Sequence, residues 1–151
     1  MLGKWNCYVL ALKLRCSVRV RISRKTVEIE PGVYFYVGSS KGRGGAIARL
    51  TRHLLKNKRI HWHVDQLTTS ECCEVIGFYL LNSNCVDCEL CIAKAMAKYL
   101  DYTPYFGSTD KPRSPSHLFK CRSAVDQCVY LAYELLNSLG CVRSVIYGTA
   151  L

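Results

Sequence analysis

The chain opens in a period of two. Tyr8 to Leu14 is an apolar run of strand length. Val18, Val20 and Ile22 then alternate with Arg19 and Arg21, so the arginines line one exposed face of a second strand. The stretch TVEIE repeats the alternation, Pro31-Gly32 supplies a turn, and VYFYVG is a further strand ending at Gly38. An antiparallel meander is the economical way to join them. From Gly44 to Asn57 the period becomes helical. Ile47, Leu50 and Leu54 predict a buried stripe, with Arg49, Arg52, His53 and Lys56 toward its rims. Glu74 to Leu81 is apolar and β-prone, Val86–Leu100 and Ala124–Leu139 read as helices, and Val142 to Ile146 reads as a last strand. Between those helices, TPYFGSTDKPRSPSHLF holds three of the four prolines. It predicts an ordered loop whose Tyr105, Phe106, Leu118 and Phe119 dock on the core. The expected fold is α+β, a single domain over residues 1–151 with a small central antiparallel sheet of three or more strands flanked by helices.

Size and apolar content agree with one core: the chain has 151 residues, half of them apolar. No stretch approaches the roughly 20 apolar residues that span a bilayer, so no membrane association is expected. The ten cysteines do not read as a secreted framework, because only the short run Tyr8 to Leu12 precedes Lys13 and no cleavage site follows. A cytoplasmic protein with mostly reduced cysteines is the expectation.

Charge then localises the chemistry. Residues 1–60 carry 14 Lys and Arg against 2 acids, residues 61–110 carry 2 against 7, and residues 111–151 carry 5 against 2. A polyanion fits the first sixty residues, and nucleic acid fits best, since phosphates accept both charge and bidentate guanidinium hydrogen bonds. The densest segment is Gly32 to Leu67, where tyrosines, glycines, arginines and histidines crowd together. Its GSSKGRGGAIARL lacks the P-loop spacing and the Lys-Ser/Thr pair, which weakens a nucleotide-binding reading. The turn instead lets a ligand approach Tyr34, Tyr36 and the helix start. His61, His63 and Asp65 alternate and would face one side of a strand, a spacing that could hold a metal, although hydrogen-bonding roles are favoured. Cys85, Cys88 and Cys91 have C-x2-C-x2-C spacing. On a continuous helix that stripe is too spread for one zinc, so buried small hydrophobes are favoured.

These residues carry a resemblance. Tyr36-Val37-Gly38, followed by Arg49 and His53, resembles the second half of the GIY-YIG nuclease signature, in which an arginine and then a histidine follow YIG. PGVYFYVGS, Arg52-His53, WHVD at Trp62 to Asp65 and FGSTD…SHLF at Phe106 to Phe119 are similar to the marks of a compact archaeal branch of that superfamily. Asn6-Cys7-Tyr8 stands where the first triplet would be, with Tyr8 in the place of the family tyrosine and Asn-Cys replacing Gly-Ile. Tyr34 is the rival for that role.

The resemblance implies a divalent-metal-dependent endonuclease acting on DNA or structured nucleic acid. Tyr8 would assist the attacking water, Tyr36 would orient the phosphate, Arg49 would hold nonbridging oxygens, and His53 would help arrange them. Glu89, with Asp87 the alternative, would hold Mg²⁺ or Mn²⁺. Gly38, Lys41, Arg43, Arg52, Lys56, His63 and His117 would contact the nucleic acid, and Trp62 would stack on a base or anchor the core. A non-catalytic nucleic-acid-binding module that keeps the basic groove is the alternative function. A zinc-stabilised RNA binder is a third.

Overall fold

A computed structural model describes residues 5–40 and 45–149. Strands β1 (Cys7–Leu14), β4 (Gly32–Ser39), β5 (Cys73–Ser83), β6 (Asp101–Tyr102), β7 (Leu118–Cys121) and β8 (Val142–Thr149) form a six-stranded sheet ordered β6-β7-β4-β1-β5-β8, and each of its pairings is antiparallel. Helices α1 (Gly45–Leu54) and α2 (Asp65–Thr68) contribute to one face, α3 (Cys88–Ala97) and α4 (Val125–Asn137) to the other. The fold is therefore α+β, a sheet flanked by helices. Among the described residues no helix is long and apolar enough to cross a membrane.

Two cores follow from the strand period. In β1, Tyr8, Leu10, Leu12 and Leu14 enter one cluster while Cys7, Val9 and Ala11 enter the other. In β4, Tyr34 and Tyr36 join the first cluster, and Val33, Phe35 and Val37 the second. Both strands are buried on both faces, which is why they read as near-continuous apolar runs instead of alternating ones. The register pairs Tyr8 with Gly38 and Leu10 with Tyr36, so Tyr8 and Tyr36 are diagonal neighbours on one face.

The meander is corrected. Strands β2 (Val18–Ile22) and β3 (Lys25–Ile29) pair only with each other, and β4 returns beside β1. The cause lies in composition: β2 and β3 carry Arg19, Arg21, Thr26 and Glu28 on an exposed face, which suits a two-stranded ribbon and not a sheet centre. Val18, Val20, Ile22 and Ile29 still reach the first core. The 103–119 loop is shorter than expected, because Leu118 and Phe119 extend the sheet on the free edge of β4. Phe106 docks as expected, whereas Tyr105 is exposed. Helix α1 begins at Gly45 among the described residues and stops at Leu54, and its inner face carries Ala46, Leu50 and His53. Leu54 is about half exposed (48%), so the stripe is rotated from the expected one and His53 moves from rim to core.

The expectation of reduced cysteines is also corrected. Cys7–Cys88, Cys16–Cys72, Cys85–Cys141 and Cys121–Cys128 are disulfides, leaving Cys73 and Cys91 as thiols. The topology brings each pair to a Cα separation of 4.9–6.4 Å, inside the range a disulfide spans. Cys7–Cys88 and Cys121–Cys128 join a strand to a helix and the other two pairs join connecting segments, pairings that spacing along the chain does not reveal.

Candidate active site

A cavity of about 260 Å³ opens where β1, β4, α1, α3 and the 103–117 loop meet. Tyr8, Tyr36, Gly38, Arg49, Glu89 and His117 line it, together with Ser39, Trp62, Asp110 and Lys111. Strand pairing supplies the tyrosines. Tyr8 lies across Gly38, where any Cβ would collide with its ring, so the glycine makes room for Tyr8 besides lining the cavity. Gly38 therefore serves this site as the seat of a side chain.

Helix α1 supplies the next two groups. Arg49 and His53 stand one turn apart. Arg49 Nη1 donates to the Ser39 carbonyl at 2.6 Å, and its guanidinium lies 5.1 Å from the centre of the Trp62 ring. His53 is 1% exposed, and its Nε2 lies 2.8 Å from the Tyr8 hydroxyl. Burial, then the charge of Lys58, pushes its pKa down to about 4, so at neutral pH His53 is uncharged. An uncharged ring accepting from Tyr8 at Nε2 carries its proton on Nδ1, which has no hydrogen-bond partner among the described residues. Burial raises the Tyr8 phenol well above its ordinary value, and Arg49 offsets part of that rise. Tyr36, also raised by burial, packs edge-on against His53 and Phe106.

The His53 shift has a consequence for stability. An unfolded histidine protonates near pH 6.5, whereas folded His53 resists until about 4, so the stabilisation is complete above about 6.5 and is lost as pH falls toward 4. The expected loss is about 3 kcal/mol, and His63 and His117, also lowered by burial, add to it in the same direction. Urea midpoints at pH 7 and 4.5 check this, with His53→Gln expected to show a smaller drop.

Helix α3 brings the carboxylate. Asp87 is its N-cap, accepting from the Leu90 amide at 3.1 Å, and it is exposed outside the cavity. That leaves Glu89, two residues further on and 8% exposed, as the carboxylate facing the tyrosines. Ser39 Oγ donates to its Oε1, while Lys111 Nζ and His117 Nε2 lie 3.1 and 3.7 Å from its Oε2. Burial would raise its pKa. The Ser39 hydrogen bond and the charges of His117 and Lys111 outweigh burial and hold it below the ordinary carboxylate range. Among the described residues His117 Nε2 finds no hydrogen-bond partner, so a buried polar atom faces the cavity unsatisfied by them.

The remaining assignments divide. Arg52 forms a bidentate pair with Asp65 at 2.8 and 2.9 Å and lies 4.5 Å from the centre of the Trp62 ring, so its guanidinium is engaged in the fold. Lys56 binds the carbonyls of Ser70 and Cys73, away from the cavity. His63 accepts the Gly107 amide at 2.8 Å and steadies the loop that carries Asp110 and Lys111. His61, His63 and Asp65 do not share a strand: the segment turns, and Asp65 opens α2 while accepting the amides of His61 and Trp62. Tyr34 donates to the Glu30 carbonyl and lies outside the cavity. Lys41 and Arg43 fall outside the described residues. Asn6 and Cys7, standing where Gly-Ile was expected, anchor the strand. Asn6 exchanges hydrogen bonds with Ser83 on β5, and Cys7 is bonded to Cys88 on α3.

Sequence reading passed over Ser39, Asp110 and Lys111. Ser39 was legible, since it directly follows the Tyr36-Val37-Gly38 triplet. Lys111 sits in a proline-rich loop, and nothing local marks it as facing a carboxylate on α3.

No curated protein matches this chain, and no solved structure does either. A profile of the family described as Domain of unknown function DUF123 matches residues 7–138.

Proposed function

Because the chain belongs to the DUF123 family, whose description names no reaction, we propose a function from the cavity itself: hydrolysis of phosphodiester bonds in nucleic acid, as an endonuclease of the GIY-YIG kind. One observation carries this reading. Two tyrosines, an arginine, a histidine and a carboxylate, drawn from elements far apart in the chain, line or border one cavity of about 260 Å³. In-line displacement needs a base for water, a cation on the nonbridging oxygens and stabilisation of the leaving oxygen.

A phenol with a raised pKa is a weak base alone. Here the hydroxyl of Tyr8 can hand its proton to neutral His53 as its oxygen takes one from water, so no free tyrosinate is required. Arg49 and Lys111 supply positive charge at the cavity wall, and Tyr36 orients the phosphate. The donor set suits a hydrated Mg²⁺ or Mn²⁺: Glu89 and Asp110 are the carboxylates lining the cavity, and the unsatisfied His117 Nε2 suits a metal-bound water or a phosphate oxygen. Such an ion supplies charge neutralisation at the leaving oxygen. DNA is the preferred substrate in this reading, a cytoplasmic location goes with it, and Arg19 and Arg21 on β2 are exposed cations that a polyanion could also meet.

Plasmid nicking tests this. Nicking is expected only with Mg²⁺ or Mn²⁺. It should fall about 10²–10³-fold in Arg49→Ala, and in Glu89→Gln it should lose its metal response while salt-sensitive DNA binding persists. The second reading, a non-catalytic nucleic-acid-binding module, is favoured by the Lys111–Glu89 ion pair, which puts a cation on the carboxylate without any metal. Binding without cleavage across varied substrates and metals selects it.

A further inference from the structure

Outside the cavity, three sulfurs converge. Cys85 lies just before α3, Cys91 lies within it, and Cys141 immediately precedes β8. Their sulfur atoms are all within 4.8 Å of one another, and all three residues are half-buried. Cys85 and Cys141 are joined, while Cys91 is a thiol whose Sγ lies 3.7 Å from that of Cys141.

We propose that Cys85, Cys91 and Cys141, once the Cys85–Cys141 bond is reduced, form a thiolate site for a zinc-class ion. The geometry is close to what zinc needs. A zinc–thiolate bond is about 2.3 Å and a tetrahedral edge is roughly 1.6 times the bond, which sets neighbouring sulfurs about 3.8 Å apart. Cys91 and Cys141 already stand at 3.7 Å. Cys85 need only release its bond and rotate, because the backbone keeps its segment beside that of Cys141 without the bond. The Asn84 amide donates to the Cys141 carbonyl at 2.9 Å, and Ser83 pairs with Val142 in the β5–β8 ladder. Partial exposure leaves the fourth position open to water. Cys88, the middle of the C-x2-C-x2-C run, takes no part because it is bonded to Cys7. Cys141, fifty residues from Cys91, takes its place.

The chemistry balances. A dithiol reductant delivers two electrons and two protons to the Cys85–Cys141 bond, giving two thiols and an oxidised dithiol. The ion then displaces the three thiol protons to solvent. An oxidised chain holds no such site, so metal loading follows the thiol state of this one pair.

The test is anaerobic titration of the reduced full-length chain with Co²⁺, whose thiolate charge-transfer bands report sulfur ligation. One equivalent should saturate the bands. They should be lost in Cys91→Ser and retained in Cys73→Ser and in Cys88→Ser, which remove thiols of the reduced chain that lie outside the proposed site. Bands that survive in Cys91→Ser, or that never form, overturn the proposal. Elemental analysis of protein purified from a reducing cytoplasm supplied with zinc needs no reduction step and covers the case in which reductant unfolds the chain. Zinc should be stoichiometric in the wild type and missing in Cys91→Ser, and a zinc-free wild type overturns the site.

Discussion

Tyr8→Phe is expected to lower phosphodiester cleavage about 10²–10⁴-fold, the usual worth of a positioned proton-transfer group, while leaving DNA affinity close to that of the wild type. The substitution removes one oxygen. That oxygen is the atom within hydrogen-bond distance of His53, and it faces the cavity that Arg49 and Glu89 share. Packing should survive, because the ring remains to fill the space over Gly38. Single-turnover nicking with saturating enzyme separates the chemical step from binding. A variant that cleaves at the wild-type rate would remove Tyr8 from the reaction and leave Tyr36 as the tyrosine to examine. Pairing the change with His53→Gln sharpens the result, since two members of one relay should cost little more together than either alone.

The largest effect on stability is expected at Asp65. Its fully buried carboxylate takes two bonds from Arg52 and one each from the backbone amides of His61 and Trp62. Burial alone would raise its pKa, and these four donors together with the Arg52 charge hold it below the ordinary carboxylate range. Asp65→Ala strands a guanidinium and two amides at once and should cost about 3–5 kcal/mol, measured by urea denaturation at pH 7. Because a depressed carboxylate stabilises only while ionised, the wild type should lose this contribution as pH falls through the folded pKa of Asp65. Asp65→Ala should lack that acid limb. Cleavage should fall with stability, since Trp62, whose amide Asp65 accepts, packs against both Arg49 and Arg52 of α1.

Most strands and helices were legible because their periods are clean. Tyr8–Leu14, VYFYVG and the two later helices were placed within a few residues of where they lie. Topology was less legible. Nothing in β2 and β3 announces that they pair only with each other, since alternation specifies a half-buried strand but not its partner. The rotation of α1 was hidden for a related reason. Leu54 looks like core and His53 like rim until Tyr8 is known to sit beneath the helix, where it gives the histidine a partner that leucine could not be. Within the site, groups brought by motif positions were readable: Tyr8, Tyr36, Arg49 and Glu89. The helical period turns Arg52 and Lys56 outward, toward the rims of the buried stripe. Folding gave each a local oxygen partner first, and such a partner can be seen only once the chain has turned at Trp62 and Ser70.

The Cys7–Cys88 bond joins the residue before Tyr8 to the residue before Glu89. Strand and helix are thereby coupled as a single mechanical unit at the point where they flank the cavity. A partial opening that lets α3 drift from the sheet would ordinarily begin at a helix N-terminus, where few backbone bonds must break. Here that end is riveted. The spacing between Tyr8 and Glu89 therefore fluctuates with the stiffness of a covalent link, and any opening of the site must come from its other wall, the 103–117 loop held by Gly107 and His63.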